Sequence, residues 1–259
     1  TVLKFQIEFD LINEIYEEIN VRKINAQIKI DTGFSRYGFL YNDLEKIKNA
    51  FSNSEIQMFN ELKYFTGLTE ISDSAFTNCK SLKFIKFPEN ITKIGKNAFE
   101  KCIALTQINL SEYITELGAY AFSKSGINSI SIPAGVEILP IGVFKGCSNL
   151  CSIYFEENSK LQIIGGEALF KYGYVSGYKC VGSNGAFSEC INLQEIKLPS
   201  SVTIIEEGAF WGCKSLKSIN TGELKKLIKI DGGLYEWFAS NTYGYSFCGA
   251  FNGCSLETV

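Results

Sequence analysis

The sequence predicts an α/β repeat solenoid, in which coils of about 23 residues each carry short strands and a short helical turn. Two observations carry this prediction. One is a motif, Ala-Phe or a near equivalent with cysteine three residues after the phenylalanine, that recurs along most of the chain. The other is a strand-like apolar alternation that follows the motif at a constant offset.

The motif reads "AFTNC" (75–79), "AFEKC" (98–102), "AFSKS" (121–125), "VFKGC" (143–147), "AFSEC" (186–190), "AFWGC" (209–213) and "AFNGC" (250–254). Its phenylalanines, Phe76, Phe99, Phe122, Phe144, Phe187, Phe210 and Phe251, are separated by 23, 23, 22, 43, 23 and 41 residues. Two intervals therefore hold a unit plus an insertion, near 167–184 and 233–248.

A full unit continues C-x-x-L-x-x-I-x-Φ-P-x-x-[IV]-x-x-[IL]-x-x-x-A-F, with Φ apolar, as in "LKFIKFPENITKIGKNAF" (82–99) and "LQEIKLPSSVTIIEEGAF" (193–210). Alternation predicts a strand with Leu82, Ile85 and Phe87 facing inward. Pro88, Pro133 and Pro199 end that strand, because proline has no N–H for a ladder. A second extended piece, Ile91 to Ile94 in the first full copy, precedes a helical turn that carries A-F-x-x-C. One such unit cannot bury its apolar face alone, so copies must stack. Seven or eight coils ~4.8 Å apart would run roughly 35 Å.

These residues, "IGKNAFEKCIALTQINL" and its copies over roughly 56–259, resemble the BspA-like leucine-rich repeats of bacterial and protozoan surface proteins. "EIQMFNELKYFTGLTEISDSAF" (55–76) is similar to that family's entry into its first coil. The resemblance implies a right-handed stack in a secreted or cell-surface protein with a non-enzymatic adhesion role. It implies an extracellular or host protein as partner, with a glycan as the alternative, and no cofactor.

Residues 1–55 lack the repeat and read as an α+β N-terminal cap, since an open solenoid end exposes its core, or else as a separate small α+β domain. "DLINEIYEEI" (10–19) and "NDLEKIKNAF" (42–51) have helical periodicity, and "AQIKIDTGF" (26–34) reads as a strand. Thr1 in place of Met points to a processed or trimmed piece. "IDTGFS" (30–35) matches an aspartic-protease signature, but that chemistry needs two carboxylates sharing a proton, and no second copy occurs. A turn at Asp31 and Gly33 is the expectation.

Composition removes other functions. The chain has 259 residues, net charge −3 and arginine only at positions 22 and 36, so nothing recommends nucleic acid. No apolar run reaches the ~18 residues of a membrane-spanning helix. The sequence has no histidine, the commonest general base. No phosphate loop or metal-ligand cluster appears, and the Glu156–Glu157 and Glu206–Glu207 neighbours point to opposite faces of extended chain. "NIT" (90–92) and "NLS" (109–111) are glycosylation sequons, relevant only in a eukaryotic secretory pathway.

Six of nine cysteines, Cys79, Cys102, Cys147, Cys190, Cys213 and Cys254, share one repeat position, and Ser125 replaces one rung. Equivalent Cβ atoms ~4.8 Å apart exceed the ~3.8 Å usual for a disulfide, so buried thiols are expected. Cys151 lies off the ladder beside Leu150. Cys180 and Cys248 lie one in each insertion, where a disulfide between them would require an oxidising compartment.

Two surfaces are candidate binding sites. The insertions are rich in aromatic residues, with Phe170, Tyr172, Tyr174 and Tyr178 in the first and Tyr235, Trp237, Phe238, Tyr243, Tyr245 and Phe247 in the second. Such rings give contact area at small entropic cost and suit sugar faces, yet they can equally fill the loops' own cores. The other surface is the outward row of the strands: Phe84 and Lys86, Gln107 and Asn109, Ser129 and Ser131, Ser152 and Tyr154, Glu195 and Lys197, Ser218 and Asn220. A purely structural spacer is the remaining reading.

Overall fold

In the computed structural model, residues 51–64, 68–173, 177–220, 226–230 and 249–256 are described. The helices and strand expected over 1–50, and with them the α+β cap, lie outside the described residues.

The strands run in chain order β1 (Met58–Phe59), β2 (Glu70–Ile71), β3 (Phe84–Ile85), β4 (Lys93–Ile94) and β5 (Glu116–Leu117). Then follow β6 (Ser129–Ile132), β7 (Ile138–Leu139), β8 (Ser152–Phe155), β9 (Ile163–Ile164) and β10 (Ala168–Gly173). The last are β11 (Gly177–Ser183), β12 (Glu195–Ile196), β13 (Ile204–Ile205), β14 (Ser218–Ile219) and β15 (Lys229–Ile230). A 3₁₀ turn occupies 60–64.

Two parallel faces result. The first strand of each coil pairs with its counterpart, β1 with β3, β6 with β8 and β12 with β14. The second strand forms the runs β2–β4–β5 and β7–β9–β13–β15. Pro88, Pro133 and Pro199 follow the first strands, and each accepts the N–H of the residue three later: Ile91, Val136 and Val202. Proline thus ends one strand and opens the turn to the next.

The structure corrects the predicted helical turns: among the described residues there is no α-helix, and A-F-x-x-C is a chain of tight turns. In each motif the cysteine N–H (Ser125 in its gap) donates to the phenylalanine carbonyl three residues back at 3.0–3.3 Å. The residue two after the phenylalanine has positive φ, from 56° at Lys124 to 79° at Gly253. That is the third position of a type II turn, where glycine or asparagine is favoured. Gly146, Gly212, Gly253 and Asn78 meet the demand, while Lys101, Lys124 and Glu189 adopt it despite their side chains.

The left-handed residue turns backbone N–H groups out of the coil and toward the next one. Phe76 N–H donates to the Ala98 carbonyl at 2.8 Å, Phe99 to Ala121 at 2.7 Å, and Phe122 to Val143 at 2.9 Å. The pattern survives both insertions, with Phe144 donating to Ala186 at 2.8 Å and Phe210 to Ala250 at 2.7 Å. A helix would keep those N–H groups for itself, whereas here they join the coils.

The phenylalanine rings stack coil upon coil with centroids 5.1–5.6 Å apart and planes within 17°. Seven phenylalanines from Phe76 to Phe251 bound six turns. The stack also reaches back to Phe51, whose ring lies 5.3 Å from that of Phe76. Phe51 N–H bonds to Ala75 and Asn53 N–H to Thr77, and Ser54 Oγ lies 3.4 Å from Cys79 Sγ. Phe51 to Ser54 therefore form one more rung, with serine at the cysteine position as at Ser125.

The ladder cysteines are free thiols, all buried. Each donates its S–H to the phenylalanine carbonyl one coil back: Cys102 to Phe76 at 3.1 Å, Cys147 to Phe122 at 3.0 Å, Cys190 to Phe144 at 3.1 Å, Cys213 to Phe187 at 3.0 Å and Cys254 to Phe210 at 3.1 Å. These carbonyls already accept the turn bond, so the thiol uses the second lone pair. Burial raises the thiol pKa throughout the ladder interior, to about 11 at Cys147.

Two predictions follow from this core. Phe99→Ala should destabilise by about 3–5 kcal/mol, since its side chain is fully buried in the stack, and urea denaturation measures the loss. A loss under about 1 kcal/mol would place the ring outside the core. The thiols set an alkaline limit. The Cys147 pKa is raised on folding, so above about pH 9 the unfolded chain releases its proton first, and stability falls until about pH 11. Stability curves at pH 8 and pH 10.5 should therefore diverge in the parent, and diverge less in Cys147→Ala.

Candidate binding surfaces

The outward row on the first strands is in register across the coils. Ser129 pairs with Ser152, Ser131 with Tyr154, and Glu195 with Ser218. Phe84 (52% exposed) and Tyr154 (61%) stand out of this face, with Met58 beside Phe84 as its parallel partner. Lys86, Gln107, Asn109, Ser131, Glu195 and Lys197 are exposed as expected, while Ser129, Ser152, Ser218 and Asn220 are half-buried.

Asn220 departs from the expected role. Its Nδ2 donates to the Leu198 carbonyl at 2.9 Å and its Oδ1 accepts the Leu198 N–H at 2.7 Å. The side chain thereby extends the ladder past β12 and β14, as a strand backbone would. Asn220 is a structural clamp.

The first insertion is a β-hairpin. β10 and β11 pair antiparallel, with Tyr172 opposite Tyr178, Lys171 opposite Lys179 and Phe170 opposite Cys180, after an irregularity at Leu169/Phe170. The hairpin segment has no acidic residue. Tyr174, Trp237, Tyr243, Tyr245 and Cys248 lie outside the described residues, and so does any Cys180–Cys248 pairing.

The neck of the hairpin is closed by a polar cluster. Ser183 Oγ lies 2.9 Å from both the Glu167 and the Gly208 carbonyls and accepts the Gly185 N–H at 2.8 Å. Asn184 donates through Nδ2 to Glu167 at 2.9 Å and accepts Lys145 Nζ at 2.8 Å. Gly166 N–H donates to Glu206 Oε2 at 2.9 Å, tying the exit to the following coil. Sequence reasoning missed these neck residues, because "SNGAF" differs from its neighbours only by small polar substitutions. Ile230, the last described residue before the second insertion, is in register with Ile205 and Ile164, two coils on from the strand that precedes the hairpin.

The second sheet presents a surface the sequence reading did not single out. Its outward row runs Glu70, Lys93, Glu116, then Ile138, Ile163, Ile204, then Lys229. Lys93 Nζ is 2.9 Å from Glu116 Oε1 in an exposed pair. Among the described residues no group of three or more Asp, Glu or Cys side chains could hold a metal ion, and no helix is long and apolar enough to cross a membrane.

A family model described as "BspA type Leucine rich repeat region" matches residues 69–176 and 181–259, in six copies. A solved leucine-rich repeat protein from Bacteroides ovatus ATCC 8483 is 28% identical, with TM-score 0.50 over 60% of this chain and 35% of that one. Another, from Eubacterium ventriosum ATCC 27560, is 21% identical, with TM-score 0.58 over 80% of this chain and 45% of that one, a likeness of fold alone. The chain thus spans less than half the length of these two solved relatives. No curated protein matches it.

One test separates clamp from contact surface. Asn220→Ala should cost about 1–3 kcal/mol by leaving both backbone groups of buried Leu198 unpaired. Tyr154→Ala, on the exposed row, should change stability by no more than about 0.5 kcal/mol. Urea midpoints of the two variants give the comparison.

Proposed function

The chain belongs to the BspA-type leucine-rich repeat family, and on that premise we propose that it is a non-enzymatic protein-binding scaffold, secreted or displayed at a cell surface, that docks a partner on its first sheet face. The observation that carries this reading is a parallel sheet face with exposed aromatics and no helix over it among the described residues. Parallel sheets are ordinarily covered on both sides. Aromatic residues within a mostly polar row are the usual anchors of protein interfaces. The row mixes Lys86, Glu195 and Lys197 with neutral residues, so shape and anchors govern recognition more than long-range charge.

The hairpin supports a second reading. Its strands carry Phe170, Tyr172 and Tyr178, with Tyr172 and Tyr178 at paired positions, and aromatic rings suit stacking on sugars. Adhesion through a glycan would use that face together with Tyr174, Trp237, Tyr243 and Tyr245 of the two insertions.

The experiment sets an array of extracellular proteins beside a glycan array, both probed with the parent, Phe84→Ala/Tyr154→Ala and Tyr172→Ala/Tyr178→Ala. The expected outcome is a protein hit weakened at least tenfold by the Phe84/Tyr154 pair, at unchanged melting temperature. A glycan hit lost only in the Tyr172/Tyr178 pair would move the function to the hairpin. Silence on both arrays would leave a spacer.

A further inference from the structure

The first sheet face is basic, although the chain as a whole has net charge −3. Its outward positions are those of Lys83, Phe84 and Lys86 and their equivalents in each coil. Backbone bonds keep these rows in step: Lys83 N–H donates to Gln57, Asn128 to Thr106, Cys151 to Asn128 and Lys217 to Gln194. From Gln57 to Asn220 the rows hold four lysines, Lys83, Lys86, Lys197 and Lys217, against one acid, Glu195. Lys83, Lys86 and Lys197 are exposed and form no ion pair among the described residues, whereas Lys93 of the second sheet is paired with Glu116.

The positive charge is divided between two ends. Lys83 and Lys86 flank β3, and Lys197 follows β12. The three coils between them present Gln107, Asn109, Asn128, Ser131, Cys151 and Tyr154, and no charged residue at any outward position. From Lys86 to Lys197 is four coil steps, about 19 Å. That exceeds the screening length of ~8 Å at physiological salt, so each end attracts an acid of its own at contact range. Glu89, Glu112 and Glu156 lie past the first strands, where the chain turns toward the second. Glu156 is engaged there, its Oε2 accepting the Ala134 N–H at 3.1 Å. A polyanion of even charge density, such as a sulfated glycan, would set charges against the neutral middle. A protein segment with acids at two separated places would not.

We infer that the partner on the first sheet face is an acidic protein segment, lying along the solenoid axis with carboxylates at both ends of a neutral middle about 20 Å long. The inference rests on the first sheet face being the docking face, and adds the chemistry of what docks there.

The probe is acetyl-Glu-Glu-Ser-Phe-Ser-Ser-Glu-Glu-amide, titrated into the full chain and followed by ¹⁵N amide shifts. Extended, it sets its two glutamate pairs six residues apart, about 20 Å. The expected result is shifts at 83–86, 151–154 and 194–197. Single exposed ion pairs contribute little, so the variant reverses one whole end, Lys83→Glu/Lys86→Glu. Binding should be at least threefold weaker in that variant. It should fall as much for the isomer acetyl-Ser-Phe-Glu-Glu-Glu-Glu-Ser-Ser-amide, whose charges are central. Both lysines face solvent, so the variant keeps its fold, which the unchanged remaining spectrum verifies. Absence of these shifts, equal binding by the variant, or equal binding of the isomer overturns the inference. Tighter binding of a sulfated hexasaccharide to the same lysines also overturns it, by making a glycan the partner. A protein hit on the extracellular array separates this result from the docking face itself. Loss of that hit in Phe84→Ala/Tyr154→Ala without change in Lys83→Glu/Lys86→Glu would keep the face and overturn the acidic partner.

Discussion

Everything in this molecule depends on where the backbone N–H groups of the A-F-x-x-C segment go. A left-handed residue two positions after each phenylalanine keeps the segment from closing into a helix. Its N–H groups instead reach the carbonyls of the following coil. The coils are therefore joined by hydrogen bonds along the turn edge as well as along both strand rows. Phenylalanine stacking and thiol donation both lie within the spacing those bonds impose.

That arrangement explains why lysine and glutamate are tolerated where asparagine or glycine would suit the backbone better. A left-handed conformation costs a non-glycine residue roughly 1–2 kcal/mol. At Lys101 the same peptide group gains an N–H bond of 2.8 Å to Ser123, and at Glu189 one of 2.7 Å to Trp211. A buried N–H left unpaired would cost a similar amount or more. Coil-to-coil pairing thus decides the local conformation over the preference of the single residue.

Insertions are accommodated because each coil needs only its neighbours. Phe144 and Phe187 stack at 5.6 Å although 43 positions separate them, and Phe210 and Phe251 at 5.1 Å across 41. At the first insertion the chain leaves after buried Ile164 and re-enters before Ala186 and Phe187. At the first exit, Ser183, Asn184 and Glu206 close the opening with hydrogen bonds. The solenoid core is undisturbed.

The sequence alone determined the repeat length and the inward residues, because period and apolar identity are local properties of a chain. Leu82, Ile91, Ile94, Phe99 and Cys102 could be placed in the core from spacing alone, and all are fully buried. The outward row at Phe84 and Tyr154 was legible for the same reason. Turn conformation was not, since A-F-x-x-C suits a helix until a neighbouring coil competes for its N–H groups. Phe51 ends a stretch of helical periodicity in the sequence, and only the stack of rings identifies it as a rung. Asn220 read as a surface residue, yet it clamps Leu198 through a contact 22 residues away. The isoleucine stripe likewise exists only in register: Ile138, Ile163 and Ile204 are unremarkable one at a time and adjacent only once the coils stack.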